Sequence, residues 1–138
     1  MPKYYRSVAV FILKDGNGRV LLQHKAKDSK VLPDQWGFFG GGIDDGETPE
    51  QAVRREAKEE LGIDMNESNI KLFGRYVAAF EPGLIEQFIF VGSLTHSLEM
   101  LRQQQTEGQG LGLFSPAELR RLKINQHILK ILSDIFKN

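Results

Sequence analysis

The sequence predicts a protein of the α/β or α+β class, in which helices and strands pack as separate layers. Three observations predict this class: paired apolar runs rich in β-branched residues, a helix with a complete start signal, and an amphipathic C-terminal helix. The chain has 138 residues, and neither an internal repeat nor a linker-like segment divides it. Such a length suits one domain with its own hydrophobic core, so we expect a single domain over residues 1–138.

The N-terminal region predicts a β-hairpin. An apolar run rich in β-branched residues covers Val8–Leu13, and a second run covers Arg19–Gln23. The segment DGNG at residues 15–18 separates the two runs and has the composition of a tight turn. We therefore expect the first two strands to pair with each other.

A helix is predicted to begin after Thr48. Thr48 is a favourable N-cap, Pro49 suits the first helical position, and Gln51 completes a capping box. Gly62 suits the C-terminal end, where a left-handed backbone conformation is common. The helix is therefore predicted to run from Pro49 to about Gly62.

The second half of the chain predicts further strands and helices. Two strand-like runs cover Ile70–Phe80 and Leu84–Leu94, and the segment EPG at residues 81–83 suits a turn between them. A helix is predicted over Asn125–Phe136, where apolar residues recur at helical spacing. A shorter helix is predicted to start near Ser115. These elements complete the mixed pattern of strands and helices.

Composition excludes several classes of function. Eighteen basic residues balance eighteen acidic ones, which gives no electrostatic reason to expect long nucleic acid or an anionic membrane as a partner. The chain has no cysteine, so disulfides and thiolate metal sites are excluded. It lacks a signal-peptide pattern and any apolar run long enough to span a membrane. We expect a cytoplasmic protein that is a monomer or a homodimer.

The first predicted helix carries three glutamates within the segment REAKEELG, at Glu56, Glu59 and Glu60. Like charges three or four positions apart on a helix repel each other by roughly 0.2–0.5 kcal/mol per pair. A helical wheel at about 100° per residue places Glu56 and Glu60 inside the apolar stripe of the helix. That stripe consists of Ala52, Val53, Ala57 and Ile63. The usual explanation of a charge run is a helix face exposed to solvent. That explanation does not suit this helix, because a face that exposed Glu56 and Glu60 would also expose the apolar stripe.

These inward-pointing carboxylates predict a cation site, because a buried carboxylate needs a partner of opposite charge. A hard divalent cation with oxygen ligands would satisfy the whole cluster. The preceding glycine run at residues 40–42 would let a loop backbone approach such a ligand closely, although a plain tight turn also explains it. On the wheel Arg55 projects toward Glu59 rather than Glu60. Arg55 can also pair with Glu47 and hold the loop against the helix.

The segment GGIDDGETPEQAVRREAKEELGI at residues 41–63 resembles the Nudix box. That motif consists of a glycine, five residues, a glutamate, seven residues and then R-E-U-x-E-E-x-G-U, where U is apolar. All nine specified positions match: Gly41, Glu47, Arg55, Glu56, Ala57, Glu59, Glu60, Gly62 and Ile63. One departure lies beside the motif, at Phe39, where a proline commonly precedes the glycine pair. This departure leaves the shape of the adjoining loop and base pocket open.

The resemblance is closest to the MutT-like nucleoside triphosphate pyrophosphohydrolases, and it implies an α/β/α sandwich around a mixed sheet. It implies hydrolysis of a pyrophosphate bond in a nucleoside diphosphate linked to a group X. The leading expectation is a (d)NTP that gives a nucleoside monophosphate and pyrophosphate. The implied cofactor is Mg²⁺, with Mn²⁺ able to replace it, and the substrate is a small-molecule nucleotide. The implied metal ligands are the Gly41 carbonyl and the carboxylates of Glu56, Glu59, Glu60 and Glu107.

The same resemblance implies catalytic and substrate-binding roles. Family members differ in which glutamate accepts the proton of the attacking water; Glu56 is the favoured candidate here, and Glu59 is a further catalytic candidate. Arg55 is expected to orient these carboxylates. Lys25 falls where relatives place a basic residue near the substrate phosphates, and Asn125 falls where they place an asparagine that contacts the base.

Alternatives remain for the residues outside the motif and for the function. Glu107 and Lys25 also suit solvated surface positions, and Asn125 suits the N-cap of the last helix, with or without contact to a base. A different Nudix chemistry would act on ADP-ribose, a nucleotide sugar, a dinucleoside polyphosphate or capped RNA. A non-catalytic Nudix domain would only bind nucleotide, but binding alone would not require three glutamates.

Overall fold

A mixed β-sheet forms the centre of the molecule. The computed structural model describes residues 4, 6–30, 32–66, 69–80 and 83–137. The strands are β1 (Arg6–Lys14), β2 (Val20–His24), β3 (Trp36–Gly37), β4 (Phe39–Gly42), β5 (Ile70–Phe80), β6 (Gly83–Ser93) and β7 (Gly110–Phe114). The helices are α1 (Pro49–Leu61), α2 (Leu98–Gln104) and α3 (Gln126–Phe136), and a short 3₁₀ turn covers Glu118–Arg121. No helix within the described residues is long and apolar enough to cross a membrane.

The sheet places β1 at its centre. The strand order is β3-β2-β1-β6-β5, while β4 pairs with β1 and β7 pairs with β2. β1 runs parallel to β6 and antiparallel to β2 and β4, so the sheet is mixed. The register places Val8 opposite both Gln87 of β6 and Gly42 of β4. β4 and β6 are therefore brought to the two sides of the same part of β1.

Helices cover both faces of this sheet. Alternate residues of β1 belong to two separate hydrophobic cores, as expected for a strand that is buried on both faces. One core joins Ala9, Phe11 and Leu13 to residues of α1 and α2. The other joins Val8, Val10 and Ile12 to residues of α3. The predicted α/β class and α/β/α layering are confirmed.

Several predicted elements are confirmed because their signals are local. Thr48 caps α1, and its side chain and that of Gln51 form the complete capping box. Gly62 ends the helix in the left-handed conformation, with φ of 68°. Asn125 caps α3, and both predicted strand pairs are present within two residues of their predicted bounds. The predicted turn at residues 81–83 lies partly outside the described residues.

The glycine run at residues 40–42 corrects one expectation, because these residues form strand β4 rather than a loop or tight turn. Residues 39–42 pair with Val8–Phe11 of β1. Gly40 has φ of 132°, and a Cβ atom there would lie 2.3 Å from the carbonyl oxygen of Ala9. Only glycine allows the two backbones to approach this closely.

Three further elements, β3, β7 and α2, were not predicted, and the segment from Ser115 forms the 3₁₀ turn instead of an α-helix.

Candidate active site

Glu60 is a buried carboxylate at the junction between α1 and β4. Its side chain is on the apolar face of α1, as the wheel predicts, and the residue is only 2% exposed. The backbone N–H of Gly40 donates to Glu60 Oε2 at 2.9 Å. Glu60 Oε1 is buried without a hydrogen-bond partner among the described residues. A buried polar atom without a partner is costly in free energy, so Glu60 Oε1 is a candidate ligand atom for a cation.

Glu56 lies one helical turn before Glu60, against Gly41, the first glycine of the motif. A Cβ atom at residue 41 would lie 2.6 Å from Glu56 Oε1, so a side chain there would displace the Glu56 carboxylate from its present position. Burial, reinforced by the charge of Glu56, raises the pKa of Glu60 to about 8. Burial also raises the pKa of Glu56, although Arg55 opposes that shift. The two carboxylates therefore repel each other in a partly desolvated site, as the sequence predicts.

Arg55 holds the acidic groups around it in place. Its Nε donates to Glu47 Oε2 at 2.8 Å and its Nη2 donates to Glu47 Oε1 at 2.9 Å, which is a bidentate pair. Its Nη1 donates to Glu56 Oε1 at 2.9 Å and to Glu59 Oε2 at 3.2 Å. Its Nη2 also donates to the Gly42 carbonyl at 2.9 Å, which ties α1 to β4. The predicted pairings of Arg55 with Glu47 and Glu59 are confirmed.

The donor set fits a hard divalent cation that keeps some ligands from outside the protein. Glu60 Oε1 is unpaired, and Glu56 offers a half-buried carboxylate beside Gly41. Glu59 is instead 58% exposed in its side chain and faces Arg55. Among the described residues, no three acidic or histidine side chains are already grouped to hold a metal. Mg²⁺ commonly binds through one or two carboxylates and completes its shell with water and substrate phosphate.

The loop that carries Glu107 is fastened to the C-terminal end of α1. Thr106 donates through its backbone N–H to the Glu60 carbonyl at 3.1 Å and through its hydroxyl to the Glu59 carbonyl at 3.0 Å. The charge of Glu107 is close enough to contribute to the raised pKa values of Glu56 and Glu60. The Glu107 side chain is exposed, so its role as a metal ligand remains a prediction.

An apolar pocket of about 100 Å³ opens beside the carboxylates. Its apolar lining includes Val8, Val10, Phe38, Ile85 and Ile128. Gly40 and Gly41 also line the pocket, so the backbone that contacts Glu60 and Glu56 forms one of its walls. Lys25 lies where this pocket adjoins a second cavity that Glu107 lines. Burial lowers the pKa of Lys25, an effect that the Glu60 charge opposes.

Asn125 has a structural role that the sequence predicts. Its Oδ1 accepts from the backbone N–H of His127 at 2.7 Å, which satisfies a free donor at the start of α3. The same helix brings Ile128 into the pocket lining. The N-cap role is confirmed, and contact between Asn125 and a substrate base remains a prediction.

Two polar residues line the pocket that sequence analysis did not single out. Arg6 begins β1 and lies beside Gly42, and its charge affects the pKa of Lys25. Gln87 lies on β6 between Ile85 and Ile89, on the side of the sheet that faces α3. The alternation of buried residues along β6 marks Gln87 as a polar residue at a core position. Arg6 carries no comparable signal, because a cation at a strand end is usually solvated.

We expect the metal-free protein to lose stability as the pH rises from about 5 to about 8. The pKa of Glu60 is raised from 4.5 to about 8 by folding, so the folded protein keeps a proton that the unfolded chain has released. This contribution to stability is complete below the unfolded pKa and is lost as the pH passes the folded pKa. Thermal melts in chelator should show the decline, and Glu60→Gln should flatten it. If melting temperature depended on pH in the same way in the wild type and in Glu60→Gln, this account would be contradicted.

Comparisons with known proteins agree with the fold and the motif. A family model described as the NUDIX domain matches residues 3–135. The nucleoside triphosphatase NudI of Enterobacter sp. (strain 638) is 54% identical over 46 residues, which are 33% of this chain and 33% of that protein. The chain thus matches about a third of the length of this curated relative.

Solved structures resemble the chain over nearly its whole length. The MutT protein of Methanosarcina mazei Go1 has a TM-score of 0.79 at 18% identity, and the match covers 99% of this chain and 96% of that chain. The mMutator MutT protein of Bacillus halodurans has a TM-score of 0.74 at 26% identity, covering 96% and 83% of the two chains. The likeness to the first structure, at such low identity, shows the fold alone.

Proposed function

Because the chain belongs to the Nudix family, we propose that it is a Mg²⁺-dependent hydrolase that converts a nucleoside triphosphate to a nucleoside monophosphate and pyrophosphate. The observation that carries this proposal is the shared wall of the acidic site and the apolar pocket. Gly40 and Gly41 contact the buried Glu60 and the half-buried Glu56 and also line the pocket. A molecule with an apolar ring at one end and phosphates at the other fits this arrangement. The name of the NudI relative supports a triphosphate as substrate.

The proposed metal ligands are the Gly41 carbonyl, Glu56, Glu59, Glu60 and Glu107. When bound there, Mg²⁺ would neutralise the charge that develops on the phosphate oxygens and orient them. Glu59 would have to turn from Arg55 to join the set, whereas Glu60 Oε1 already lacks a partner. Loose occupation before substrate arrives follows from this donor set, because the phosphates supply the remaining ligands.

The side chains of this site have separate tasks in the proposed reaction. Glu56 accepts the proton of the attacking water, since its carboxylate is half-buried and has a raised pKa. Arg55 fixes the position of Glu56 Oε1 by a hydrogen bond of 2.9 Å and is itself held by Glu47. The Lys25 ammonium attracts the substrate phosphates at the mouth of the pocket. The pocket excludes water from one side of the substrate and holds its base.

We expect turnover to require a divalent cation, with Mg²⁺ or Mn²⁺ sufficient, because every proposed ligand is a hard oxygen. Initial rates should fall to background in excess chelator and return when Mg²⁺ exceeds the chelator. A titration with Ca²⁺ provides a control for non-specific screening of charge, since a larger cation suits the same oxygens with different geometry. Full turnover in excess chelator would exclude the proposed mechanism.

We expect a nucleoside triphosphate to yield only the monophosphate and pyrophosphate. The products can be separated by ion-exchange chromatography, with inorganic pyrophosphatase omitted from the assay. A substrate panel of dNTPs, oxidised dNTPs, ADP-ribose and nucleotide sugars tests the substrate class in the same experiment. Release of orthophosphate and diphosphate would place the broken bond elsewhere. Turnover of ADP-ribose or a nucleotide sugar alone would replace the triphosphate proposal with a different Nudix chemistry.

A further inference from the structure

Gln87 is a buried amide on the wall of the apolar pocket. It is 8% exposed, and its strand neighbours on the same side of the sheet, Ile85 and Ile89, are buried in the core beneath α3. It lines the pocket together with Val8, which lies opposite it on β1. A polar side chain among apolar ones is destabilising unless its hydrogen-bonding groups have partners. The stability of this arrangement therefore depends on the hydrogen-bond partners of the oxygen and of the nitrogen of the Gln87 amide.

Only one end of the Gln87 amide has a partner within the described residues. Gln87 Oε1 lies 2.8 Å from His127 Nε2. An amide oxygen can only accept, so His127 Nε2 carries the proton of this hydrogen bond. The bond holds the oxygen toward α3, and the Nε2 group of Gln87, with two N–H donors, is left for the pocket.

His127 is itself held in position. Tyr76 lies edge-on to the His127 ring, with centroids 6.3 Å apart and an interplanar angle of 82°. The Tyr76 hydroxyl donates to Asp134 Oδ2 at 2.9 Å, which anchors the tyrosine to α3. Tyr76 also lies opposite Gln87 in the register of β5 and β6. The orientation of the Gln87 amide is therefore determined by a packed neighbour and is not left to rotate freely.

We propose that Gln87 is a specificity-determining residue that selects nucleobases with a hydrogen-bond acceptor on the edge facing it, and that His127 is the positioning residue that keeps Gln87 a donor. A keto base presents such an acceptor, whereas the corresponding amino base presents a donor against the amide N–H groups. A mismatched base leaves two donors facing each other in a partly buried pocket, which opposes binding. This assignment rests on the proposed function, since it takes the pocket to hold a nucleobase.

The first experiment measures kcat/KM for nucleotides that differ at one edge, UTP against CTP and ITP against ATP. The wild-type protein should favour the keto member of at least one pair by about tenfold or more. Gln87→Glu, which can only accept, should reverse this preference. Gln87→Leu suits the apolar surroundings and should reduce the ratio to within about threefold of unity. An unchanged ratio in both variants would overturn the role of Gln87.

The positioning role of His127 is tested by the same ratio. His127→Phe keeps a ring against Tyr76 but removes the donor that fixes Gln87, so the amide can present either end to the base. The keto-to-amino ratio should fall toward unity, while the better substrate loses only a few-fold in kcat. Tyr76→Phe is the matched control, because it retains the ring contact and should retain the ratio. Equal loss for all four nucleotides in His127→Phe would overturn the positioning role.

A binding measurement separates this inference from the proposed function. If the wild-type protein hydrolyses no triphosphate while it hydrolyses another nucleotide, the proposed function fails. Calorimetry with UMP and CMP in chelator still tests Gln87, since it requires neither metal nor turnover. A preference for UMP that Gln87→Leu removes supports the inference whatever the reaction. Equal binding of UMP and CMP, or a preference that Gln87→Leu retains, would overturn it.

Discussion

We expect Glu60→Gln to reduce turnover at least about a hundredfold while leaving the metal-free protein as stable as the wild type or more stable. The amide keeps the shape of the side chain and can still accept from the Gly40 N–H, which now bonds to Glu60 Oε2. It removes a charge that is 2% exposed and repelled by Glu56. The resulting gain in the free energy of unfolding should be on the order of a few kcal/mol at a pH above the folded pKa of Glu60, and small in mildly acidic solution.

The measurement pairs thermal melts in chelator with initial rates in saturating Mg²⁺. Glu50→Gln is the matched control, because Glu50 lies on the same helix but pairs with Arg54 at the surface. It should leave the rate unchanged and alter stability only slightly. Loss of stability with retained activity in Glu60→Gln would show that Glu60 belongs to a structural interaction and not to a metal site.

We expect Arg55→Ala to lower kcat/KM by about 10- to 100-fold and to lower the melting temperature as well. Arg55 donates to Glu47, Glu56 and Glu59 and to the Gly42 carbonyl. Its loss therefore removes the group that positions the three carboxylates, and it removes a hydrogen bond between α1 and β4. Arg55 also opposes the raised pKa of Glu56. Its removal should therefore shift the acidic limb of the pH–rate profile to higher pH.

Two further variants distinguish orientation from simple charge at Arg55. Arg55→Lys keeps the charge but cannot form the bidentate pair with Glu47, so it should recover little of the lost activity. Arg54→Ala, the matched control, removes the adjacent arginine, whose ion-pair partner is Glu50. It should change the rate and the melting temperature only slightly. If the acidic limb of the pH–rate profile lay at the same pH in Arg55→Ala as in the wild type, a positioning role toward Glu56 would be contradicted.

Interactions between near neighbours in the chain were predictable from the sequence alone. The capping box of Thr48 and Gln51, the left-handed Gly62 and the N-cap at Asn125 depend on residues at most five positions apart. The inward position of Glu60 follows from the same helical geometry, since the wheel needs only the apolar stripe of α1. The pairing of Arg55 with Glu47 is predictable for a similar reason, because the helix start at Thr48 brings residues eight apart together.

The tertiary structure alone decided features that join distant segments. Gly40 is in a strand because its backbone packs against β1, a contact that no local signal of the glycine run reveals. Gln87 and His127 are 40 residues apart, and their hydrogen bond exists because α3 covers the face of β6 on which Gln87 lies.

The sequence by itself thus determined the helix ends, the main strand pairs and the acidic motif, since each depends on short-range backbone and side-chain geometry. The pocket, its polar wall and its closeness to the carboxylates depend on strand order and on the packing of helices across the sheet. Those are set by which apolar faces are buried together, and many arrangements of the same elements satisfy the local signals equally well.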